Sequence, residues 1–104
     1  MKATPTHKYF KELEPHIVKK FFSYHKENPQ VYKMVKKFAN EAKEAGRTHF
    51  GIKMIWERMR WYSAVESTDT TYRLSNDYPS CYARLLMIEN PIFETIFSRK
   101  GKKK

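Results

Sequence analysis

The chain has 104 residues, enough for one domain with a modest core, and 40% of them are apolar and 15% aromatic. That composition excludes a disordered tail, which could not bury enough apolar surface to order itself. Lys and Arg number 21 against 11 Asp and Glu, for a formal net charge of +10, which excludes an acidic mimic of nucleic acid. So positive a body attracts polyanions, although a solvated surface with a lysine-rich end has the same composition. Cys81 is the single cysteine, so no internal disulfide can form, as suits a reducing compartment. No apolar run approaches the roughly 18 residues of a membrane helix, and MKATPTHKYF lacks a signal-peptide core. The expectation is a soluble cytoplasmic protein with no membrane contact.

Residues 1–7 are polar and read as a flexible N-terminus, followed by a single domain over 8–98. From Lys8 to Lys26, Tyr9, Phe10, Leu13, Ile17, Val18, Phe21, Phe22 and Tyr24 recur at helical spacing. Pro15 has no N–H to donate, so a short first piece and a fresh helix starting at that proline are expected. Asn28-Pro29 punctuates again, with Asn as a cap and Pro at the first helical position. The next helix is expected over Pro29–Ala45, where Val31, Val35, Phe38, Ala42 and Ala45 make one buried stripe. Gly46 then supplies the positive φ that ends helices.

Phe38 to Arg60 has the features of a helix-turn-helix: a small residue at Ala42, a glycine turn at Gly46, and buried aliphatics at Ile52 and Ile55. Thr48 is a candidate cap for the second helix, although Gly51 could delay its start by one turn. Ile52, Ile55, Trp56, Met59 and Tyr62 cluster on one side, with Lys53, Met54, Glu57 and Trp61 on the other. Trp61–Val65 and Thr71–Leu74 are rich in aromatic and β-branched residues around a turn-like Glu66–Thr70, and read as a β-hairpin. The competing reading continues the helix to Val65 and follows it with an irregular loop. The fold class expected is therefore mainly α with a small β-hairpin, a winged helix-turn-helix-like single domain. A further helix is expected over Pro79–Glu89, packed through Tyr82, Leu85, Leu86 and Ile88, then a last apolar piece at Ile92, Phe93, Ile96 and Phe97. Residues 99–104, RKGKKK, read as a basic disordered tail that either adds phosphate contacts or only solubilises.

Three segments, Arg47–Trp61 (RTHFGIKMIWERMRW), Tyr72–Tyr78 (YRLSNDY) and Tyr82–Met87 (YARLLM), resemble a group of small, mostly uncharacterised proteins carried by phages and prophages. The likeness spans Arg47 to Arg99, roughly half the chain. It departs from the group's pattern at Ile52, where alanine is usual, and at Ser75 and Asp77, where the turn is usually asparagine-rich. It implies a mobile-element origin and action in a bacterial host cytoplasm, and no particular activity.

In a helix-turn-helix the start of the second helix meets base edges in the major groove. The candidate nucleic-acid contacts are therefore Thr48, His49 and Lys53, with Arg58 and Arg60 on the flanks and Arg73 on the hairpin. The tail cations Arg99, Lys100, Lys102, Lys103 and Lys104 complete the set. Each has a plain alternative: Thr48 as a cap, His49 as a turn residue, Arg58 or Arg60 paired with Glu57, and Arg73 facing solvent. Glu57 opposes phosphates unless it accepts from a cytosine amine or is held by Lys53. Arg84 is expected to hold a carboxylate such as Asp77 or Glu66. Lys19, Lys20, Lys33, Lys36 and Lys37 spread over two helices, which suggests sequence-independent attraction.

His7, His16, His25 and His49 show no metal-ligand spacing, alone or with Cys81, and no phosphate-cradling glycine loop is present. No catalytic activity, metal or cofactor is expected, and Cys81 reads as a small buried residue. Met54 and Trp61 form a candidate protein interface. The partners expected are nucleic acid, with duplex DNA favoured, or else a host protein that the chain binds as a phage effector, or a second copy in a homodimer.

Overall fold

The computed structural model describes residues 8–66 and 74–97. A 3₁₀ turn at Lys8–Glu12 leads into α1 (Pro15–Glu27), α2 (Pro29–Glu44), α3 (Ile52–Trp61), α4 (Pro79–Glu89) and the short α5 (Ile92–Ile96). The three long helices that begin at prolines do so where the missing N–H costs nothing, because the first turn of any helix leaves its donors unpaired. Asn28 works in the opposite sense from the one expected. Its side-chain amide donates to the Tyr24 carbonyl at 3.1 Å, so it closes the end of α1 and makes no side-chain bond at the start of α2.

α4 is the centre of the fold. Cys81, Tyr82, Ala83, Leu85, Leu86, Met87 and Ile88 are all buried, so the helix is apolar nearly all round and must be enclosed. α2, α3, α5 and the 3₁₀ turn pack against it. Arg84 is the polar exception, and it fastens the 3₁₀ turn to α4. Its Nε donates to the Tyr9 carbonyl at 2.9 Å and its Nη2 to the Glu12 carboxylate at 3.0 Å. A carboxylate partner for Arg84 was expected at Asp77 or Glu66; Glu12, far earlier in the chain, fills that role. On the other side of α4 the Tyr32 hydroxyl donates to Glu89 at 2.8 Å and ties α2 down.

The winged helix-turn-helix is not the architecture, and two observations overturn it. No strand occurs among the described residues. Trp61 is the last residue of α3, and Tyr62–Glu66 continue it as a π-helical turn, so the first strand of the expected hairpin is helical. The wider turn sets Tyr62 edge-on against Phe38 of α2, with ring centroids 5.6 Å apart. Aromatic and β-branched residues favour strands only where a neighbouring strand gives them a pleated surface, and here α2 offers a helix face instead. The helix through Val65 is thus the better of the two readings. Of the expected second strand, residues 71–73 fall outside the described residues, and Leu74 is not in a strand.

The turn between α2 and α3 also differs from a helix-turn-helix. α2 ends in a Schellman motif: Gly46 has φ +95°, its N–H meets the Lys43 carbonyl, and the Arg47 N–H meets the Ala42 carbonyl at 3.1 Å. Glycine ends the helix as expected, but α3 does not start until Ile52, after an extended Gly51. The connection is therefore longer than the three or four residues of a helix-turn-helix. Phe50 is buried within it against Phe97, at 5.7 Å between ring centroids, and its N–H reaches the Ile96 carbonyl. This linker is strapped to the C-terminal helix rather than folded tightly under α3.

Nothing lies within 4 Å of a Cβ added at Gly46, so substitution there strains the backbone without a clash. Gly46→Ala is expected to lower stability by about 1 kcal/mol, and Gly46→Asn by less, because Asn tolerates the left-handed region. Urea unfolding of the three proteins followed by circular dichroism measures the order.

Candidate nucleic-acid interface

Thr48 and His49 are exposed but precede α3, in the extended linker, so Thr48 does not cap the helix. Lys53 is the second residue of α3 and is exposed. The three residues expected to read bases together therefore do not share a helix face. Glu57 pairs with Arg60 at 3.8 Å rather than with Lys53, and Arg60 also donates to the Asn76 side chain. Arg60 is thus spent on holding α3 to the turn before α4. Arg58 lies over the Phe38 ring at 4.4 Å, with Nη1 buried and without a hydrogen-bond partner among the described residues. Arg73, Arg99, Lys100, Lys102, Lys103 and Lys104 lie outside the described residues.

The structure adds a cluster that sequence reading missed. Lys37 sits 5.4 Å from the Phe38 ring centroid, the ring that Arg58 also approaches, and 5.7 Å from that of Tyr62. Lys36 lies 4.8 Å over Tyr32. These cations are held over aromatic faces, an attraction of about 0.5–1 kcal/mol at exposed sites that leaves the charge open to a further partner. The Lys36-Lys37-Phe38 run was the available signal, but it became meaningful only once α3 brought Tyr62 and Arg58 to α2.

Electrostatically, the lysines among the described residues stand without ion pairs although exposed carboxylates share the surface. Apart from half-buried Lys43, every lysine among the described residues is exposed. The ion pairs among those residues join His16 to Glu14, Arg60 to Glu57 and Arg84 to Glu12, and none uses a lysine. Beside this charge runs an apolar line on the outer side of α3 and its π turn. Met54 is 41% exposed, Trp61 59% and Val65 59%, at steps of seven and four residues that keep them on one side. The expected exposure of Met54 and Trp61 holds, and Val65 extends the line. Behind it, Phe38, Ala42, Met54, Ile55 and Arg58 border a shallow cavity of about 320 Å³ between α2 and α3.

The interior titrates abnormally. Burial pushes the Cys81 thiol up to about 11, with Arg84 opposing the shift, which keeps the sulfur protonated and unreactive. Burial also raises the Tyr82 phenol, and burial together with the bond to Glu89 raises that of Tyr32. His25, stacked on Phe21 with ring planes 5° apart, is lowered chiefly by burial, against the attraction of Glu89 and with the help of Lys36. Among the described residues no group of His, Cys, Asp and Glu could hold a metal ion, and no helix is long and apolar enough to cross a membrane.

Comparison with protein-family models, curated proteins and solved structures finds no match to this chain.

The buried titratable groups fix a pH profile for stability. His25 has a folded pKa below its ordinary 6.5, so the unfolded chain binds more protons and stability is lost as pH falls below about that value. Cys81 has a folded pKa of about 11 against an ordinary 9.0, so the folded chain keeps a proton that the unfolded one releases. Tyr32 and Tyr82 act in the same direction from 10.0 upward, and stability falls as pH rises above about 9. Thermal melts across pH 5 to 11 are expected to show a plateau between those limits, and His25→Phe should flatten the acid side.

Proposed function

We propose that the chain binds nucleic acid through the phosphate backbone, without reading base sequence, and that duplex DNA is its preferred form. The observation that carries this reading is the set of exposed lysines without carboxylate partners in a chain of net charge +10. Lys33, Lys36 and Lys37 are exposed on α2, and Lys53 is exposed at the start of α3. Each lysine that meets a phosphate releases a condensed counterion, which makes attachment favourable and salt-dependent. Base reading has no comparable support: Arg60 is engaged with Asn76 and Glu57, and Arg58 is laid on Phe38. Binding of this kind tolerates charges spread over two helices, whereas sequence reading needs a few side chains fixed on one groove-entering element. The resemblance to phage-carried proteins would set this activity in a bacterial cytoplasm.

Gel-shift titration of random duplex DNA at several salt concentrations tests the reading. The logarithm of affinity is expected to fall linearly with the logarithm of salt, and Lys36→Gln with Lys37→Gln should reduce that slope by about 2. Lys53→Ala with His49→Ala should weaken binding no more than Lys19→Ala with Lys20→Ala. Absence of binding at low salt, or a slope near zero, would refute it.

A second reading rests on the exposed Met54–Trp61–Val65 line, whose large side chains resemble the anchors of protein interfaces. On this reading the chain acts as an effector that docks on a host protein, or as a homodimer through the same line. Met54→Ala with Trp61→Ala is expected to leave DNA affinity within about twofold while abolishing a protein complex, since exposed apolar side chains contribute to desolvated contacts and little to counterion release. Sedimentation of the free protein separates the dimer from a heterologous complex, and a DNA loss as large as that of the lysine pair would assign the line to nucleic acid instead.

A further inference from the structure

A second surface, on the side of α1, has a different chemistry. Phe10, Leu13, Pro15, Val18 and Phe22 wall an open groove of about 750 Å³ between the 3₁₀ turn and α1. Lys11, Lys19 and Lys26 line it as well, all three exposed, and no carboxylate among the described residues does. Of the acids near it in sequence, Glu12 is engaged with Arg84 and Glu14 with His16, and exposed Glu27, beside Lys26, is not part of the lining. Pro15, Lys19, Phe22 and Lys26 follow one another at steps of four, three and four, so a single face of α1 presents apolar and cationic groups in alternation.

We propose that this groove is a docking site for an acidic amphipathic helix of another protein, laid along α1 with its apolar face in the groove and carboxylates toward Lys19 and Lys26. The spacing of the lysines selects this occupant. Lys19 and Lys26 are two helical turns apart, roughly 10 Å along the axis, so one carboxylate cannot meet both. A fatty acid of suitable volume carries a single charge at one end and leaves the other lysine unused. A helix repeats its face every seven residues and sets two carboxylates at the same separation, beside apolar residues that fill the space between. Nucleic acid has repeating charge but no aliphatic face for Leu13, Val18 and Phe22. A membrane surface is apolar and anionic, yet it cannot fill a concave groove. A second copy of this chain brings a net charge of +10 against these lysines.

The experiment uses the full chain and a fluorescein-labelled peptide of about five helical turns, with leucines on one face and glutamates flanking them at seven-residue spacing. Its counterpart carries lysine at each glutamate. The acidic peptide is expected to bind at least about tenfold more tightly than the basic one, and Lys19→Glu with Lys26→Glu to reverse that order with an unchanged circular dichroism spectrum. Should that pair perturb folding, Lys19→Gln with Lys26→Gln must still lower acidic-peptide affinity severalfold. Lys33→Glu with Lys36→Glu removes the same charge from α2 and should change it by less than about twofold. Equal losses from the two pairs would mean that the general field attracts the peptide, and the proposal would fall. Oleate or phosphatidylglycerol vesicles that bind in a Lys19- and Lys26-dependent way, with no peptide binding, would overturn it in favour of a lipid ligand. Lys19 also adds to the general field that attracts DNA, so the two readings are told apart by the Lys33 and Lys36 pair, which should weaken DNA binding while leaving acidic-peptide affinity nearly unchanged.

Discussion

Tyr82 is the residue on which three helices converge. Its ring, wholly buried in α4, lies edge-on to Phe21 of α1 at 4.8 Å, near-parallel to Tyr32 of α2 at 6.0 Å, and tilted against Trp56 of α3 at 5.7 Å. Edge-to-face and offset pairs of this kind add about 0.5–1.5 kcal/mol each beyond the area they bury. A chain this small depends on such rings, because its core has few residues and each large side chain must serve several elements at once. The buried helix α4 carries the ring, and the other helices are placed by their contacts to it. The cost is polar: the Tyr82 hydroxyl and the Trp56 indole N–H are buried without partners among the described residues. Aromatic packing therefore has to outweigh the desolvation of two groups, each worth about 1–3 kcal/mol.

The surface charge follows from that arrangement. Every helix gives its apolar face to α4 or to a neighbour on it, and the lysines among the described residues are left outward, without ion pairs to the exposed acids around them. Some of the acids hold groups of the fold in place, while the Glu14–His16 pair lies on the surface. Glu12 receives Arg84, Glu57 receives Arg60, and Glu89 receives Tyr32. Glu12 and Glu89 thus join elements, Glu57 pairs within α3, and these lysines remain without ion pairs. The division also explains why Arg60, a candidate contact in the linear sequence, is a poor one in space.

Much of the fold could be read from local signals. The prolines at 15, 29 and 79 begin helices because their chemistry allows little else, and Gly46 ends one for the same kind of reason. What could not be read depended on distant partners. Trp61 to Val65 has strand-like composition, and only the contact of Tyr62 with Phe38 shows why a π turn is preferred. Phe50, in a linker flanked by polar residues and glycine, gives no periodic cue, yet it is buried because α5 returns to meet it. α4 was recognisable as a helix, but its enclosure on all sides was legible only in the thinness of its polar strip, Ser80, Arg84 and Glu89. The candidate site was read less well than the fold: Thr48, His49 and Lys53 are close in sequence but do not form one helical face.

Unpaired positive charge on a small domain carries an energetic consequence that links the fold to its partners. Like charges on α1, α2 and α3 repel one another across the surface and oppose compaction, most strongly at low ionic strength. Any anionic partner that binds the folded chain and not the unfolded one relieves that repulsion and stabilises the fold by mass action. The two lysine surfaces differ in what they add to this effect. On α2 the lysines offer charge alone or charge laid over aromatic rings, which matches a uniform phosphate chain. Along α1 they flank an apolar groove, so charge attracts a partner and Phe10, Leu13 and Phe22 decide whether it stays. A polyanion without an apolar face gains nothing from the groove, and an acidic helix gains little from α2 beyond the general field. The same excess of lysine can therefore serve two partners on one small body, separated by what lies between the charges.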